Sequence, residues 1–569
     1  MSLEYLANEI LLNLFEYFKI EDVFRAFYQL NSRFNTLLLK YFRAYHLDFQ
    51  SISKHDFHLI CTKYFPLISN QIISLRLCDE INASIQLKYI PIYIPSFSQL
   101  SHLRALSLYH IKSIHLLKRL VVEWQELPYL THLSITNCYF FGTSTLLHTT
   151  INSIWRLRRL MYCHLNRLSK EWIEFIVPDD TSSSMQYLTF QNGHMNWQTS
   201  TGLLEKTPFL RSLNTHISQI SKSEVEFSTE YESLSRLNVS TRSTANMLSC
   251  WKSFPNLSHL TVCMEACYLD GKQWEYIIKT YLSCLKEFHL LMEFTKEEEY
   301  VDRLLDSFRS SFWLEERQWY VRCHWWKISD PNDRTDIVLT TLPNLTGCST
   351  YSIDKSCHRS TCPDDSVYNS YDHINTLKYS SCFHLLPFVF PNISYLAIRR
   401  PDHVEPWSAV PELENLRTLL YFTTEPYHRM RDELQTILDR ASNLQTLRLL
   451  MHDDQYKFLD LKHPSIRCLD FGGHRMMSEE CETLITNQLG QQCEVLITSI
   501  DQPEVVPPLI NHLRSLRILK IFSRYIETPA LFSSEDRLND WLASHLPSTC
   551  NFQSRYKEKS SYTFIVWIR

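Results

Sequence analysis

The sequence predicts an α/β solenoid, a curved parallel sheet with helices on its convex side. Three features predict it: an apolar phrase that recurs about every 25 residues, period-two alternation inside the phrase, and helical periodicity between its copies. The phrase is most complete at Leu130–Cys138, where apolar residues occupy its first, fourth and sixth positions. Repeats of this length indicate stacked units that share one continuous core.

The phrase recurs along most of the chain, with one long interruption after residue 288. Its second apolar residue is Leu75, Leu106, Leu133, Leu160, Leu188, Leu213, Leu237, Leu260, Phe288, Leu377, Leu396, Leu419, Leu447, Leu469, Leu496 or Leu519. Within each copy, apolar residues two apart point into the core and the residues between them point outward. We therefore expect a parallel ladder in which each copy supplies one strand.

Helical segments separate several copies of the phrase. In Lys272–Leu282, apolar residues occur at steps of three and four, so that they form one buried stripe. Asp432–Arg440, before Leu447, repeats the arrangement. A strand followed by a helix at this period is typical of the leucine-rich-repeat horseshoe.

The interruption between Phe288 and Leu377 needs a separate interpretation. Gln318–Arg322 and Ile337–Thr341 can serve as degenerate strands, and an irregular loop is expected around 347–372. We expect the repeat path to continue here rather than to split into two domains. The repeats then span 72–539, after a linker or N-terminal cap at 51–71, and end in a C-terminal cap at 540–569 whose last residues, from Tyr562, form a strand.

Composition limits the classes of partner. With 44% apolar and 21% charged residues the chain can bury a core, and disorder is not expected to dominate. The formal charge of −5 gives no field that would gather nucleic acid or an acidic membrane over the whole surface, so neither is an expected partner. A local basic patch remains possible.

Cysteine content and the termini suggest a compartment. The 17 cysteines are an odd number without the tight spacing of a secreted disulfide framework, so we expect reduced thiols. The N-terminus lacks the pattern of a secretory signal. The longest apolar runs, such as Phe564–Ile568, are too short to span a bilayer. A cytoplasmic or nuclear protein is the expectation.

The first fifty residues have a helical period. Leu6, Ile10, Leu11, Leu14, Phe15 and Phe18 fall at steps of three and four. Asn8 is a plausible N-cap. Further short helices are expected at Glu21–Phe27 and from Ser32 to about Tyr45. Three such helices bury too little surface to be stable alone, so they should pack against the repeats, against a partner, or against both.

These residues resemble an F-box. The resemblance rests on Leu6-Ala7-Asn8-Glu9-Ile10-Leu11 at the start, on the helix end at Phe15–Phe18, on Glu21-Asp22-Val23, and on Leu30-Asn31-Ser32-Arg33-Phe34 at the close. The family usually has proline at the position of Ala7 and often tryptophan at that of Phe34. The missing proline removes a rigid start to the binding loop, which affects adaptor affinity more than the fold.

The resemblance implies a substrate-recognition subunit of a cullin-RING ubiquitin ligase, with residues 1–50 bound to a Skp-type adaptor and the repeats bound to a target protein. The residues that match adaptor-facing positions of the family are Leu6, Ile10, Leu11, Leu14, Phe15, Val23 and Phe34. The alternative for any of them is a place in the small core of the helical unit. A second hypothesis for the whole chain is a leucine-rich-repeat scaffold or regulatory binder without a ligase role.

The outward strand positions are candidates for the target surface. In the middle copies they are small and polar: Ser134, Thr136, Thr189, Asn214, Asn238, Ser240 and Thr261. In later copies they are larger: Tyr395, Arg399, Phe422, Arg448 and Phe522. Aromatic residues and arginine supply much of the energy at protein interfaces, so the later half is the predicted partner surface. The alternative is that these side chains pack against adjacent strands or the terminal cap.

The sequence shows no catalytic motif, and we expect neither an enzyme nor a cofactor. One cluster suggests a metal: Cys357, His358, Cys362, His373 and Cys382. Zinc sites usually present two close ligand pairs, and the loose spacing here favours an ordinary loop without a metal.

Overall fold

The structure, a computed structural model, forms two compact units. It describes residues 3–18, 20–42, 45–49, 54–78, 90, 92–111, 114–138, 144–168, 174–217, 229–244, 250–327, 334–343, 357–364, 375–379, 389–399, 410, 412–423, 427–451, 461–500, 502–523, 535–548, 550–557 and 561–568. The first unit is Met1–Cys323 with Ile328–Thr341, and the second is His324–Lys327 with Leu342–Arg569. Both units contain strands and helices, so the chain is α/β, and the boundary between the units falls within the long gap between repeats.

The first unit contains a ladder of ten parallel strands paired in chain order. They are β1 (Tyr45–Asp48), β2 (Ile72–Cys78), β3 (Ala105–Tyr109), β4 (His132–Thr136), β5 (Tyr162–Asn166), β6 (Tyr187–Met195), β7 (Ser212–Ile217), β8 (Arg236–Thr241), β9 (His259–Glu265) and β10 (Glu287–Lys296). Parallel pairing between sequence neighbours requires a return crossover after every strand, and the segments between phrase copies provide it.

One row of the ladder carries the predicted leucines. Leu106, Leu133, Leu188, Leu213 and their neighbours pair directly across successive strands and are buried. Cys163 stands in this row between Leu133 and Leu188, so the assignment of Leu160 to it is wrong by three residues. Leu160 is buried in the turn that precedes β5.

The ladder also begins earlier than predicted. Strand β1 pairs with β2, with Leu47 opposite Leu75, although the repeats were predicted to begin at residue 72. The predicted F-box segment 1–50 therefore contains the first strand of the sheet. Residues 51–71, predicted as a linker or cap, are helical where they are described.

The gap contains strands, but they do not extend the parallel ladder. Strand β11 (Val321–Lys327) overlaps the predicted strand Gln318–Arg322 at its last two residues, and β12 (Thr335–Thr341) contains all of the predicted Ile337–Thr341. β12 pairs antiparallel with β10, with Phe294 opposite Ile337. A short strand, β13 (Cys357–Ser360), occurs inside the predicted irregular loop, and most of 347–372 lies outside the described residues.

The second unit holds a nine-stranded sheet. Its parallel strands are β14 (Thr376–Tyr379), β15 (Tyr395–Arg399), β16 (Thr418–Thr423), β17 (Thr446–Met451), β18 (Cys468–Met476), β19 (Val495–Ile500) and β20 (Ile518–Ser523). Every predicted leucine from Leu377 to Leu519 lies in one paired row. The hairpin β21 (Cys550–Lys557) and β22 (Ser561–Ile568) adds β22 antiparallel to β20, in agreement with the strand predicted from Tyr562.

Fifteen helices occur in the described parts of the chain. They are α1 (Asn8–Phe15), α2 (Ile20–Phe27), α3 (Ser32–Thr36), α4 (Lys54–Leu59), α5 (Phe65–Ile68), α6 (Ile114–Glu123), α7 (Ser144–Trp155), α8 (Trp197–Glu205), α9 (Gly271–Tyr281), α10 (Tyr300–Ser307), α11 (Tyr427–Arg440), α12 (Ser478–Thr486), α13 (Gln488–Gln492), α14 (Val506–His512) and α15 (Glu535–His545). None of them is long and apolar enough to cross a bilayer.

The predicted buried stripes are present where helices follow strands. In α9, Trp274, Ile277 and Ile278 are buried, and the Trp274 ring lies 5.1 Å from that of Phe288 in β10. Helix α11 likewise buries Leu434, Ile437 and Leu438 in the core of the second unit. In the second unit the leucine row and α11 thus share one core, and in the first unit α9 packs on Phe288 of the leucine row.

Candidate partner-binding surfaces

Hydrogen bonds of one arginine, Arg33, connect the segments at the start of the N-terminal helical unit. The Arg33 guanidinium donates to the backbone carbonyls of Glu4 and Leu6 and, at 3.0 and 2.8 Å, to the side-chain oxygen of Asn8. Asn31 caps α3 by accepting from the Phe34 amide at 3.0 Å. This network fixes the segment before α1 against the start of α3.

Asn8 is therefore not the N-cap of α1, because its oxygen binds Arg33 instead of a helical amide. The N-cap is Ala7, with φ −61° and ψ 152° and no side-chain bond. That φ lies within the range of about −65 ± 15° to which a proline ring is fixed. The backbone of Ala7 thus keeps the conformation that a proline would impose, although alanine does not lock it.

The seven predicted adaptor residues fall into two groups. Four of them are buried in the helical unit, as expected if they form its small core instead of an adaptor contact: Leu11, Phe15, Val23 and Phe34. Leu6 and Leu14 are half-buried, and Ile10 is 53% exposed. Ile10 and Leu14 are four residues apart in α1, so they lie on one face of it, and Leu6 lies two residues before the helix begins. We call these three residues the apolar stripe.

Further large apolar side chains are exposed in the first 41 residues, and none of them was among the predicted adaptor residues. Tyr17, 87% exposed, follows α1 one turn beyond Leu14. Additional large apolar side chains exposed in the first 41 residues are Leu3, Tyr5, Phe18, Leu30 and Tyr41. With Ile10 and Tyr17, the first 41 residues hold seven of the fifteen exposed large apolar side chains in the described parts of the chain, a frequency that favours an interaction surface.

The opposite side of the helical unit attaches it to the sheet. Phe24 in α2 is buried, and its ring stacks on Tyr64 at a centroid distance of 4.3 Å. The same ring lies 5.8 Å from that of Tyr45, the first residue of β1. Tyr45 donates a hydrogen bond from its hydroxyl to the Leu38 carbonyl at 3.0 Å. The helices thus cover the first strand through an aromatic core.

The five predicted target-binding residues occupy outward register positions of the second sheet. Tyr395, Phe422 and Phe522 are partly exposed, and Arg448 is exposed. Phe422 stands opposite Arg399 in the register, but the side chain of Arg399 lies outside the described residues. The residues alternate with the buried leucine row, so the strands place them on the face away from that core.

Some of these outward side chains already have intramolecular partners. Arg448 Nε lies 3.1 Å from Asp470 Oδ2 on the next strand, and Lys520 Nζ lies 4.5 Å from the centre of the Phe522 ring. Arg448 and Asp470 are direct neighbours in the register. This pair is exposed on the arginine side, and a partner must compete with it for the Arg448 guanidinium.

The outward face of the first sheet carries both small polar residues and aromatic rings. The small polar residues predicted from Ser134 to Thr261 are all half-buried on it. Beside them, three aromatic rings form a stack that the repeat pattern did not predict: His132 on Tyr162 at 4.2 Å and Tyr162 on Tyr187 at 4.4 Å. Burial lowers the pKa of His164, the outward residue of β5. The strand register, not the local sequence, brings these rings together.

The possible metal cluster is not assembled by the part of the chain that the structure describes. No group of three or more His, Cys, Asp or Glu side chains there could hold a metal. Cys357, His358 and Cys362 are described, whereas His373 and Cys382 lie outside the described residues. None of the 15 described cysteines is in a disulfide, and burial raises the pKa of Cys163 to about 12, which disfavours a reactive thiolate there.

Comparison with known proteins adds no relative. No protein-family model matches the chain, and no curated protein matches it significantly.

Proposed function

We propose that the chain is a protein-recruiting subunit of a cullin-RING ubiquitin ligase, in which an F-box-like helical unit binds a Skp-type adaptor and a leucine-rich-repeat solenoid binds the target. The observation that carries the proposal is the apolar stripe of Leu6, Ile10 and Leu14, which remains accessible within the segment that resembles an F-box. Ubiquitin transfer would then occur on other subunits, in the cytoplasm or nucleus, without a cofactor on this chain.

Support for the solenoid comes from the ladder. Each predicted phrase copy described above supplies a parallel strand, and neighbouring strands in the sequence are neighbours in the sheet. The leucine row is buried throughout, from Leu47 to Phe288 in the first unit and from Leu377 to Leu519 in the second. A repeated unit that buries its apolar side only against its neighbours is the physical basis of solenoid folds.

Support for adaptor binding comes from the free energy that covering the exposed apolar stripe would release. Covering apolar surface gains about 25 cal/mol per Å² removed from water. An amphipathic helix that presents residues at four-residue steps is a common way of docking into the apolar groove of a partner. The buried residues Leu11 and Phe15 would hold the helix in place while the stripe makes the contact.

The test compares two exposed apolar residues on different helices. Ile10→Glu places a charge in the stripe, while Val122→Glu makes the same change on the exposed face of α6. Binding of the full chain to a purified Skp-type adaptor is measured by calorimetry. We expect Ile10→Glu to weaken binding by at least about tenfold and Val122→Glu to have little effect, with unchanged unfolding transitions for both. Folded wild-type protein that does not bind the adaptor would overturn the proposal.

A second function is favoured by the aromatic core at Phe24. Because Phe24 packs on Tyr45 and Tyr64, the helices can serve as the N-terminal cap of a repeat scaffold without any ligase role. Deleting residues 1–50 cannot separate the two functions, since it also removes β1. The point variant at Ile10 avoids this problem because it leaves the aromatic core and β1 intact.

A further inference from the structure

Two adjoining open cavities lie in the first unit at the edge where strands β5 to β7 begin. The first has a volume of about 780 Å³ and extends from Gln125 to Ser183. The second has a volume of about 410 Å³ and is lined by Ser183, Phe209, Arg211 and Ser233 among others. Since Ser183 lines both, they form one continuous surface, which we call the arginine groove.

The groove has an excess of positive charge. Arg156, Arg158 and Arg159 line the first cavity together with one acid, Asp180, and Arg211 lines the second. Arg156 is neutralised by Asp180, with Nε 2.6 Å from Oδ2. Arg158, Arg159 and Arg211 form no ion pair with any residue that the structure describes. Three exposed cations are therefore left for an external anion.

One of these cations is held in position. The Arg159 guanidinium carbon lies 4.9 Å from the centre of the Tyr129 ring, and His102 stacks parallel to the same ring at 5.8 Å. A guanidinium over an aromatic face keeps its hydrogen-bond donors at the edge available. Ordering the side chain before binding reduces the entropy that a partner must overcome.

The second cavity adds an apolar contact. Phe209 lines it and is 56% exposed, although a phenylalanine is usually buried. Arginine and aromatic side chains next to each other are the residues that most often dominate protein interfaces. Hydroxyl groups of Thr181, Ser183 and Ser233 lie along the same surface and can donate hydrogen bonds to carboxylates.

The spacing of the cations suits an extended segment. Arg159 precedes β5 and Arg211 precedes β7, with β6 between them. Two strand spacings amount to about 10 Å. Carboxylates two to four residues apart in an extended chain span about 7 to 13 Å, so a single segment can bind at both ends of the groove.

We infer that the arginine groove docks an extended acidic segment of a partner protein, whose carboxylates bind Arg158, Arg159 and Arg211 and whose apolar side chain contacts Phe209. Protein is favoured over nucleic acid because Arg159 already lies over the Tyr129 ring, and because Phe209 is the one exposed aromatic ring among the described residues that line the two cavities, too few to stack successive bases. The inference is independent of adaptor binding and holds equally for a scaffold.

The test uses the full chain and fluorescein-labelled peptides. The probe is a short peptide rich in Glu and Asp with one central Leu. The comparison ligands are peptides that replace its acids by lysine or by phosphoserine, and a labelled single-stranded oligonucleotide. The variant is Arg159→Glu with Arg211→Glu. The matched control is Lys286→Glu, an exposed cation at the same repeat position as Arg211 but outside both cavities.

We expect the acidic peptide to bind wild-type protein, more weakly as salt is raised, and the double variant to bind it at least about tenfold more weakly. Lys286→Glu should change the affinity by less than about twofold. Equal binding by the double variant, or no binding of the acidic peptide, would overturn the inference. So would binding restricted to the phosphoserine peptide or to a single-stranded oligonucleotide, because each identifies a different class of ligand.

Discussion

Replacing Phe24 by alanine tests whether the N-terminal helices and the sheet unfold together. The Phe24 side chain is 1% exposed and contacts three rings, those of Tyr28, Tyr45 and Tyr64. Truncating such a phenylalanine removes its burial and leaves a cavity, at a cost of about 3–5 kcal/mol. The packing between α2 and β1 should lose the most stability, since Tyr45 is the first residue of that strand.

The assay must detect local loss of structure, because repeat arrays do not always unfold in one step. Hydrogen exchange of the β1 and β2 amides reports the free energy of local opening. We expect faster exchange in both strands of Phe24→Ala, with β7 to β9 less affected. Phe209→Ala is the control, since this exposed ring should contribute within about 0.5 kcal/mol to stability. Exchange in β1 that stays at the wild-type rate would refute the idea that the helices cap the sheet.

Two further predictions concern the first unit. A Cβ at Gly271 would lie 2.3 Å from the Ser307 carbonyl oxygen, so Gly271→Ala should destabilise the protein by at least about 2 kcal/mol. The control is Gly202→Ala, whose Cβ would meet only a valine side chain at 3.2 Å and should change stability by less than about 1 kcal/mol. Similar urea midpoints for both variants would contradict this prediction. Because burial lowers the pKa of His164 below its ordinary 6.5, the unfolded state binds the proton more tightly, and stability should fall as the pH drops below 6.5. His164→Gln should lose part of that decline in urea titrations, and an unchanged decline would exclude His164 as its source.

The leucine row could be predicted because each strand must present apolar residues to the same core at a repeated position. The error at Leu160 has a physical origin. Leu160 and Cys163 are both buried and stand three residues apart, as do the first two apolar positions of the phrase. When a cysteine replaces the leucine in the strand, sequence alone does not show which position is in the row.

Strand direction and the first strand were harder to predict. Apolar alternation is the same in both directions along a strand, so Ile337–Thr341 gave no sign that β12 would pair antiparallel with β10. Strand β1 was missed because the small Ala44 occupies the first apolar position of the phrase there, and because Tyr45-His46-Leu47-Asp48 follows directly on a helical pattern.

The candidate surfaces depend on contacts between distant residues. Helical periodicity placed Ile10 and Leu11 in one apolar set, but α1 has apolar residues on more than one face, and only packing decides that Leu11 is buried and Ile10 is exposed. Arg159 and Arg211 come from different repeats and approach each other only through the pairing of β5 to β7. The near-neutral composition therefore concealed a basic patch.

The two functions considered for the N-terminal helices are compatible, because they use different faces of one small unit. Phe24 points to Tyr45 and Tyr64 and is buried, while Ile10 is exposed on α1. A cap that is attached firmly to the sheet holds its outer helix in a fixed position, which reduces the entropy lost when a partner binds the stripe. The two variants should therefore differ in their effect on stability. Ile10→Glu should weaken adaptor binding without changing stability, whereas Phe24→Ala should lower stability and also weaken adaptor binding, because α1 is then held less firmly. An adaptor that binds Phe24→Ala with wild-type affinity, despite faster exchange in β1, would show that the stripe does not need this support.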